Sequence, residues 1–273
     1  MTERTNDDIR GAVREQYGKV ARQAEPCGCS AGCCGGSSAE ASLKLGYTAE
    51  NLAAVPDGAN MGLGCGNPQA IAALKPGETV LDLGAGGGFD CFLAAKQVGP
   101  QGRVIGIDMT PDMVVKARDN ARKLGASNVD FRLGEIEHIP VGDNEVDVIL
   151  SNCVINLSPD KASVFRDAFR VLKPGGRLAI SDVVKLKPLP ACIEDKAEAL
   201  TGCVSGAVMV DELRELLRGA GFDDVRVDVK PESREFIRDW FPGSGVEEYV
   251  ASAVIEAVKP GGKSCCGPSC CCG

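Results

Sequence analysis

The sequence predicts an α/β fold, in which a parallel sheet is covered by helices on both of its faces. From residue 78 onward, short apolar segments alternate with segments of helical periodicity. A glycine-rich turn at 84–88 directly follows the first apolar segment. Short apolar strands joined by helices are typical of a parallel sheet buried on both faces. The 273 residues suffice for one or two domains, and 44% of them are hydrophobic, which is enough for a sizeable core.

The chain before the sheet is predicted to begin with a helix and a loop. Four side chains recur at helical spacing and predict an amphipathic helix over 6–22: Ile9, Val13, Tyr17 and Val20. Segment 25–38 is rich in Cys, Gly and Ser and has no apolar periodicity, so it predicts a flexible loop. A short helix is expected over 68–74.

Five strands and three helices are predicted for the middle of the chain. The strands are expected over 79–83, 103–108, 129–133, 146–150 and 177–184. The helices are expected over 89–98, 111–124 and 159–172. Thr110 followed by Pro111 is a typical N-cap with its first helical residue. The Lys-Pro-Gly-Gly segment 173–176 is expected to end the last of these helices.

The alternation loosens after residue 185, where further elements are expected to complete the sheet. The pattern predicts helices over 190–202 and 210–219 and strands over 225–229 and 249–258. The last residues, 259–273, contain too little apolar material to pack.

Charge and cysteine usage exclude several protein classes. The net charge of −8 argues against a surface that coats nucleic acid. The charged N-terminal run has no apolar signal segment, and no stretch approaches a membrane span, so a cytoplasmic protein without a membrane partner is expected. In a reducing compartment, thiols are more readily ligands, redox groups or catalytic groups than structural disulfides. The 14 cysteines form two terminal blocks and five single positions: Cys27, Cys29, Cys33, Cys34; Cys265, Cys266, Cys270, Cys271, Cys272; Cys65, Cys91, Cys153, Cys192, Cys203.

The glycine-rich turn indicates a nucleotide-type site. Segment 82–88 reads Asp-Leu-Gly-Ala-Gly-Gly-Gly, where glycines let a ligand approach the backbone and a helix N-terminus offers free N–H groups. Phe89 replaces the third glycine of the dinucleotide fingerprint, and no basic residue in the turn would hold a pyrophosphate. Asp108 ends the second strand, where an open α/β sheet can bind a ribose diol. A tight turn alone would explain the glycines, but Asp108 and the Gly-Glu-Ile turn at 134–136 favour a cofactor.

Thiols occupy the positions where a substrate is expected. Cys153 follows Asn152 at the carboxyl end of the fourth strand, where α/β sheets place their chemistry. Cys65 lies in a turn before the sheet, and Cys203 follows the fifth strand; their spacing does not match a paired zinc ribbon. Each cysteine alone is explained equally well as a small buried apolar residue. The sole histidine, His138, is expected at the surface or edge, and Cys91 is expected to pack within its helix.

Over residues 78–184 this combination resembles the class I S-adenosylmethionine-dependent methyltransferases. The resemblance implies a Rossmann-like sheet of seven strands with a reversed last strand, and S-adenosyl-L-methionine as cofactor. Asp108 would hold the ribose hydroxyls, and Met109 would flank the adenine. Core packing explains Met109 and Ile136 taken singly about as well. The resemblance implies these cofactor-binding residues: Tyr17, Asp82, Gly84, Gly86, Asp108, Met109, Glu135, Ile136 and Asn152.

Further segments are similar to the arsenite methyltransferases: 17–20, 62–68, 89–91, 107–110, 151–157 and 202–207. The most specific is Ser-Asn-Cys-Val-Ile-Asn-Leu at 151–157. That family holds trivalent arsenic with three thiolates, which implies Cys65, Cys153 and Cys203 here. A further N-terminal family cysteine forms a disulfide with the one before the sheet during turnover. Cys34 is our catalytic candidate for it, although its three neighbours in the N-terminal block compete. Some relatives carry an acidic residue where this chain has Gly202, so no role is expected for that carboxylate.

The chemistry fits this resemblance. Soft thiolates select thiophilic centres, and three of them leave trivalent arsenic with an exposed lone pair that can attack a methyl group without a side-chain base. We therefore expect arsenite methylation, an arsenic detoxification, with arsenite or its thiol conjugates as acceptor. A thiol reductant of the thioredoxin or glutathione type would be the co-substrate. The alternatives are a class I methyltransferase acting on carbon or oxygen of another small molecule, and a thiol-rich metal- or metalloid-binding protein.

Four regions are expected along the chain. Residues 1–75 form the N-terminal helix, the Cys-rich loop and a cap, and 76–184 form the S-adenosylmethionine-binding core. Residues 185–260 complete the sheet and the acceptor site. Residues 261–273 are a disordered Cys-rich tail, which either collects thiophilic metalloid for the site or is dispensable.

Overall fold

The computed structural model describes residues 5–22, 38–194 and 203–261. The predicted Cys-rich loop therefore lies outside the described residues except for Ser38, and the Cys-rich tail except for Gly261. No helix within the described ranges is long and apolar enough to cross a membrane.

Seven strands form one sheet in the order β3-β2-β1-β4-β5-β7-β6. Strands β1 to β5 run parallel, and β7 is antiparallel to both of its neighbours, which confirms the predicted reversed strand. The order reverses between β1 and β4, so a crevice opens at their carboxyl ends. The strands are β1 Thr79–Leu83, β2 Arg103–Asp108, β3 Val129–Leu133, β4 Val146–Asn152, β5 Leu172–Lys185, β6 Asp223–Lys230 and β7 Val250–Val258.

Helices cover both faces of this sheet. They are α1 Asn6–Arg22, α2 Ser38–Lys44, α3 Ala49–Ala53, α4 Gln69–Ala72, α5 Phe89–Val98, α6 Pro111–Leu124, α7 Lys161–Val171, α8 Ala191–Glu194, α9 Val210–Gly219 and α10 Arg234–Ile237. Apolar side chains of α4, α5 and α6 pack on one face, and those of α7 and α9 pack on the other. The central strands are buried on both sides, which is why they read as nearly continuous apolar segments.

The predicted helix over 159–172 is shorter in the structure, and the segment after it has a different role. Asp160 caps the helix, because its side chain accepts a hydrogen bond from Ser163 N at 3.0 Å. The Lys-Pro-Gly-Gly segment does end the helix, but it also belongs to β5, whose pairing with β4 is irregular there. Gly175 N donates to Lys259 O at 2.8 Å, which ties this segment to the chain just beyond β7. The sequence predicted only the end of the helix here and gave no sign of this pairing.

Other boundaries differ by a few residues. Of the helix predicted over 190–202, the described residues contain only α8, and the remainder lies outside them. Helices α2 and α3 were not predicted, because seven and five residues are too few to show helical periodicity. Both precede the sheet, and Ser42 of α2 lines the crevice.

Candidate active site

A cleft of about 1110 Å³, counted with the solvent at its mouth, opens at the carboxyl ends of β1, β2 and β4. This is the place where open α/β sheets bind their ligands. Nine of the residues predicted for the site line it: Tyr17, Asp82, Gly84, Gly86, Asp108, Met109, Ile136, Asn152 and Cys153.

The glycine-rich turn is held in place by its neighbours. Gly84 has φ 71° and Gly86 has φ 52°, a left-handed backbone that favours glycine. A Cβ atom on Gly84 would lie 2.7 Å from Cγ1 of Val154, so no side chain fits there. Asn120 Nδ2 donates to Gly87 O at 2.9 Å and fixes the other side of the turn. The backbone of the turn therefore faces the cleft without intervening side chains.

Asp108 joins the end of β2 to this turn. Its Oδ2 accepts from Gly86 N at 3.0 Å, and its Oδ1 accepts from Thr110 N at 2.8 Å. Burial raises the pKa of Asp108, and these backbone N–H groups oppose that rise. A carboxylate has about four lone-pair directions, so each oxygen can still accept a hydroxyl donor. The geometry suits a vicinal diol.

Two further buried acids lie beside the turn. Asp82 is 3% exposed and Asp90 is 8% exposed. Burial and the charge of Asp90 raise the pKa of Asp82 well above its ordinary value. The Sγ atom of Cys91 donates to Asp82 Oδ2 at 3.2 Å, and burial followed by the charge of Asp82 raises the pKa of this thiol as well. Cys91 is fully buried in α5, as expected for packing, and its raised pKa makes it a poor nucleophile.

Helix α1 closes one side of the cleft. Arg10 Nη2 lies 3.1 Å from Glu137 Oε1, and Arg14 Nη2 lies 3.3 Å from Glu135 Oε1. Glu135 is not among the residues lining the cleft; Glu137 lines it instead. Glu137 was not among the site residues predicted from the sequence. Its signal was the Glu-Ile-Glu triplet at 135–137 together with two arginines four residues apart on α1.

Tyr17, on the same helix, lies between the two halves of the site. Burial raises its pKa well above the ordinary value, and the charges of Cys203 and Asp108 raise it further. Tyr17 also packs against the apolar cluster that contains the thiols. Its ring thus borders both the turn and the predicted arsenic ligands.

The three cysteines predicted as arsenic ligands converge. Cys65, Cys153 and Cys203 are 1%, 7% and 3% exposed and belong to one apolar cluster. Cys65 and Cys153 form a disulfide bond, with their Cα atoms 5.7 Å apart. Cys203 Sγ donates to Cys153 O at 2.8 Å. The sulfur atoms of Cys65 and Cys153 therefore meet beside the cleft, and the Cys203 thiol lies against the main chain of Cys153 in the same buried cluster.

Two of these cysteines have an unusual backbone. Cys153 has φ 58° and Cys203 has φ 66°, in the left-handed region that a non-glycine residue adopts at a cost of about 1–3 kcal/mol. Cys153 N donates to Ser181 O at 2.8 Å, which holds the first conformation. Strained residues of this kind persist where the surrounding structure fixes them, and they cluster at functional sites.

Asp182 adds a carboxylate to the thiol cluster. One of its oxygens and the sulfur atoms of Cys65 and Cys153 all lie within 4.8 Å of one another. Burial raises the pKa of Asp182 to about 6, although the N–H groups of Val183 and Asn156 oppose the rise. Burial and the charge of Asp182 also raise the pKa of Cys203. The free thiol of Cys203 is therefore protonated at neutral pH.

Cys34 lies outside the described residues, as do its three neighbours in the N-terminal block, so the expected pairing between Cys65 and an N-terminal cysteine stays a prediction. In the described part of the chain Cys65 pairs with Cys153, because their loops meet at the carboxyl end of β4. His138 is exposed, as expected for a surface position.

Comparisons with known proteins agree with this geometry. A family model described as a methyltransferase domain matches residues 74–221. An arsenite methyltransferase of Halobacterium salinarum is 52% identical over 95% of this chain and 69% of its own length. The human arsenite methyltransferase is 41% identical over 52% of this chain and 40% of its own length.

A solved structure shows the same relation. The arsenic (III) S-adenosylmethionine methyltransferase of Chlamydomonas reinhardtii superposes with a TM-score of 0.61 at 34% identity, over 84% of this chain and 76% of that one. The cleft and the cluster of three cysteines agree with these identities. The chain belongs to the arsenite methyltransferase family.

Proposed function

We propose that this chain transfers the methyl group of S-adenosyl-L-methionine to trivalent arsenic held by Cys65, Cys153 and Cys203. The observation that carries the proposal is the gathering of these three cysteines in one buried cluster beside a cleft lined by the glycine turn and Asp108. Cys153 belongs to both parts, because it lines the cleft and contacts the other two cysteines. Family membership supports the same activity.

The residues of the cleft fit the cofactor. Asp108 would accept hydrogen bonds from the ribose hydroxyls, and the backbone of Gly84 and Gly86 would let the methionine part approach closely. Tyr17 would cover it from α1. When bound, S-adenosyl-L-methionine supplies an electrophilic methyl group on a sulfonium. The cleft contributes orientation and excludes water.

The thiol cluster fits the arsenic. Each thiol that displaces a hydroxide from arsenite loses a proton, which leaves with that hydroxide as water. Arsenic bound by three sulfur atoms keeps its lone pair, which attacks the methyl carbon as the bond from carbon to the sulfonium breaks. No side-chain base is needed. The cysteines hold the arsenic at reactive distance, and such positioning contributes up to about 7–11 kcal/mol to lowering a barrier.

The disulfide between Cys65 and Cys153 removes two of the three ligands. Two electrons are needed to restore them, and a reductant of the thioredoxin or glutathione type would supply these while its own two thiols become a disulfide. A reducing compartment such as the cytoplasm suits this requirement. Cys34 remains our candidate for a relay thiol that receives the disulfide from Cys65 by exchange.

The test is to identify the methylated product. The reduced protein is incubated with S-adenosyl-L-methionine and arsenite, and both methylated arsenic and S-adenosylhomocysteine are quantified. The proposal predicts that the two appear together and only with arsenite. Arsenic binding without S-adenosylhomocysteine would favour a metalloid-binding protein. S-adenosylhomocysteine formed equally without arsenite would favour a methyltransferase acting on carbon or oxygen.

A further inference from the structure

We propose that Asn152, Tyr47 and Asp90 form a positioning chain that sets the location of the Cys65 sulfur. The inference rests on the proposed function, because it treats Cys65 as an arsenic ligand. It assigns to Asn152 a task besides bordering the cofactor, and it assigns a positioning task to Tyr47 and Asp90, which also line the cleft.

The Asn152 side chain clamps the loop that carries Cys65. Its Oδ1 accepts from Cys65 N at 3.0 Å, and its Nδ2 donates to Gly66 O at 2.9 Å. A Cβ atom on Gly64 would lie 2.7 Å from Asn152 Nδ2, so the loop reaches this amide only because residue 64 has no side chain. The two bonds fix the peptide group before Cys65 and the peptide group after Gly66.

Tyr47 and Asp90 fix the orientation of that amide. The Tyr47 hydroxyl donates to Asp90 Oδ1 at 2.8 Å and accepts from Asn152 Nδ2 at 3.1 Å. Asp90 Oδ2 is a second acceptor, 3.4 Å from the same nitrogen. Gln69 Nε2 holds Asp90 in turn by donating to its carbonyl oxygen at 2.7 Å. Acceptors thus surround Nδ2, which leaves Oδ1 facing the Cys65 amide.

Of the three thiols, the positioning chain of Asn152, Tyr47 and Asp90 holds only Cys65 in place. The loop before α4 belongs to no strand of the sheet, and side-chain hydrogen bonds hold it. They include those of Asn152 and that of Ser252 Oγ to Cys65 O at 2.7 Å, and Cys65 Sγ also lies 3.5 Å from Ser181 O. Cys153 is placed differently, by the end of β4 and its backbone bond to Ser181. Cys203 is placed by its bond to Cys153 O. Removing a hydrogen bond of the positioning chain should therefore displace Cys65 and leave the other two cysteines in position.

The experiment measures arsenite binding site by site, without cofactor. Reduced full-length protein is titrated with arsenite, residual thiols are alkylated, and the arsenite concentration that half-protects Cys153 is read by peptide mass spectrometry. Asn152→Ala is expected to raise this concentration about tenfold, the equivalent of losing one to two hydrogen bonds. Tyr47→Phe is expected to raise it about threefold, because it loses the hydroxyl but keeps the ring that packs on Phe89 with centroids 4.8 Å apart.

The decisive comparison uses two cysteine backgrounds. In Cys65→Ser protein, Asn152→Ala and Tyr47→Phe are expected to cause no further change, because the thiol that they position is gone. In Cys203→Ser protein the changes are expected to persist. Asn128→Ala is the matched control: Asn128 Nδ2 donates to two main-chain carbonyls, at 3.1 and 3.0 Å, far from the thiols, so its loss is expected to lower stability and leave half-protection unchanged.

Equal effects in both backgrounds, or no effect in the parent protein, would overturn the positioning role while the proposed function stands. A parent protein whose Cys153 is never protected by arsenite would overturn both. A loss of the fold in Asn152→Ala leaves the Tyr47→Phe series to decide, because that variant retains the aromatic packing.

Discussion

Asp108 shows how a single side chain connects the glycine turn to the cofactor cleft. Its two oxygens accept from Gly86 N and Thr110 N. Asp108→Asn would turn an NH₂ group toward one of these donors and remove the charge. We expect the dissociation constant of S-adenosylhomocysteine to rise about tenfold or more, because hydrogen bonds to a charged group contribute about 1.5–3 kcal/mol.

Isothermal titration calorimetry measures this constant directly. Asp119→Asn is the control, because Asp119 lies on the outer side of α6 and pairs with Arg122 one turn away. An unchanged dissociation constant in Asp108→Asn would contradict the assignment of Asp108 to the cofactor.

Helix α1 is held against the cleft by the ion pair between Arg10 and Glu137. Arg10 is 15% exposed and Glu137 is 4% exposed, so their contact at 3.1 Å is better shielded than an ordinary surface ion pair. We expect Arg10→Ala to raise the KM for S-adenosyl-L-methionine about threefold to tenfold with a smaller change in kcat, because α1 lines the cleft proposed for the cofactor and would touch no reacting atom.

The matched control for this helix is Lys19→Ala. Lys19 pairs only with Glu15 within the same helix among the contacts described for it, at 2.8 Å and on its exposed side. Steady-state kinetics at low and high salt separate the two roles, since salt should raise the KM of the parent protein and have less effect on Arg10→Ala. An equal KM for Lys19→Ala and Arg10→Ala would contradict the role of the Arg10–Glu137 ion pair in holding α1 against the cleft.

Over the whole molecule, Arg177 on β5 links this strand to α4 and to Glu78, the residue before β1. It donates to Ala72 O at 2.7 Å and to Glu78 at 2.8 and 3.0 Å. Burial alone would raise the pKa of Glu78, but Arg177 and the Lys75 N–H outweigh it and lower the pKa. A carboxyl whose folded-state pKa is lowered stabilises the fold above its unfolded pKa, near 4.5, and loses this contribution as pH falls through the folded value.

Arg177→Ala should therefore lower the free energy of unfolding by about 2–4 kcal/mol at pH 7. The difference from the parent protein should narrow as the pH falls from about 4.5 through the lowered folded-state pKa of Glu78, because Glu78 becomes protonated in the parent protein as well. Urea unfolding at pH 7, 5 and 3.5 measures it. Arg166→Ala, which removes an exposed bond to Ser163 within α7, is expected to cost less than about 0.5 kcal/mol. A difference independent of pH would exclude the Glu78 contribution.

Most of the sheet could be predicted because its signals are local. Helices α5 and α6 and strands β1, β2 and β3 have the predicted bounds, since each depends on periodicity and on caps within its own segment. The dual role of segment 173–176 depends on Lys259, which is distant in sequence. Pairing between residues this far apart in sequence does not change the apolar periodicity of either segment.

The candidate site divides in the same way. The turn, Asp108 and Cys153 lie in local motifs that the sequence displays. Glu137 and the clamp by Asn152 depend on contacts between residues 127 and 87 positions apart, so only the fold reveals them. The convergence of the cysteines was implied by family resemblance and could not be worked out from their spacing.

In the proposed reaction, three cysteine thiolates bind arsenic and hold it next to the methyl donor. The most direct test is the rate of methyl transfer from labelled S-adenosyl-L-methionine to arsenite, in the parent protein and in Cys65→Ser, Cys153→Ser and Cys203→Ser. Cys192→Ser, a cysteine with no assigned role, is the control. We predict a loss of roughly 100-fold or more in each of the three variants, because misplacement by about 1 Å already costs that much, and no loss in the control. Label transferred to arsenic at the parent rate in all three would contradict the account.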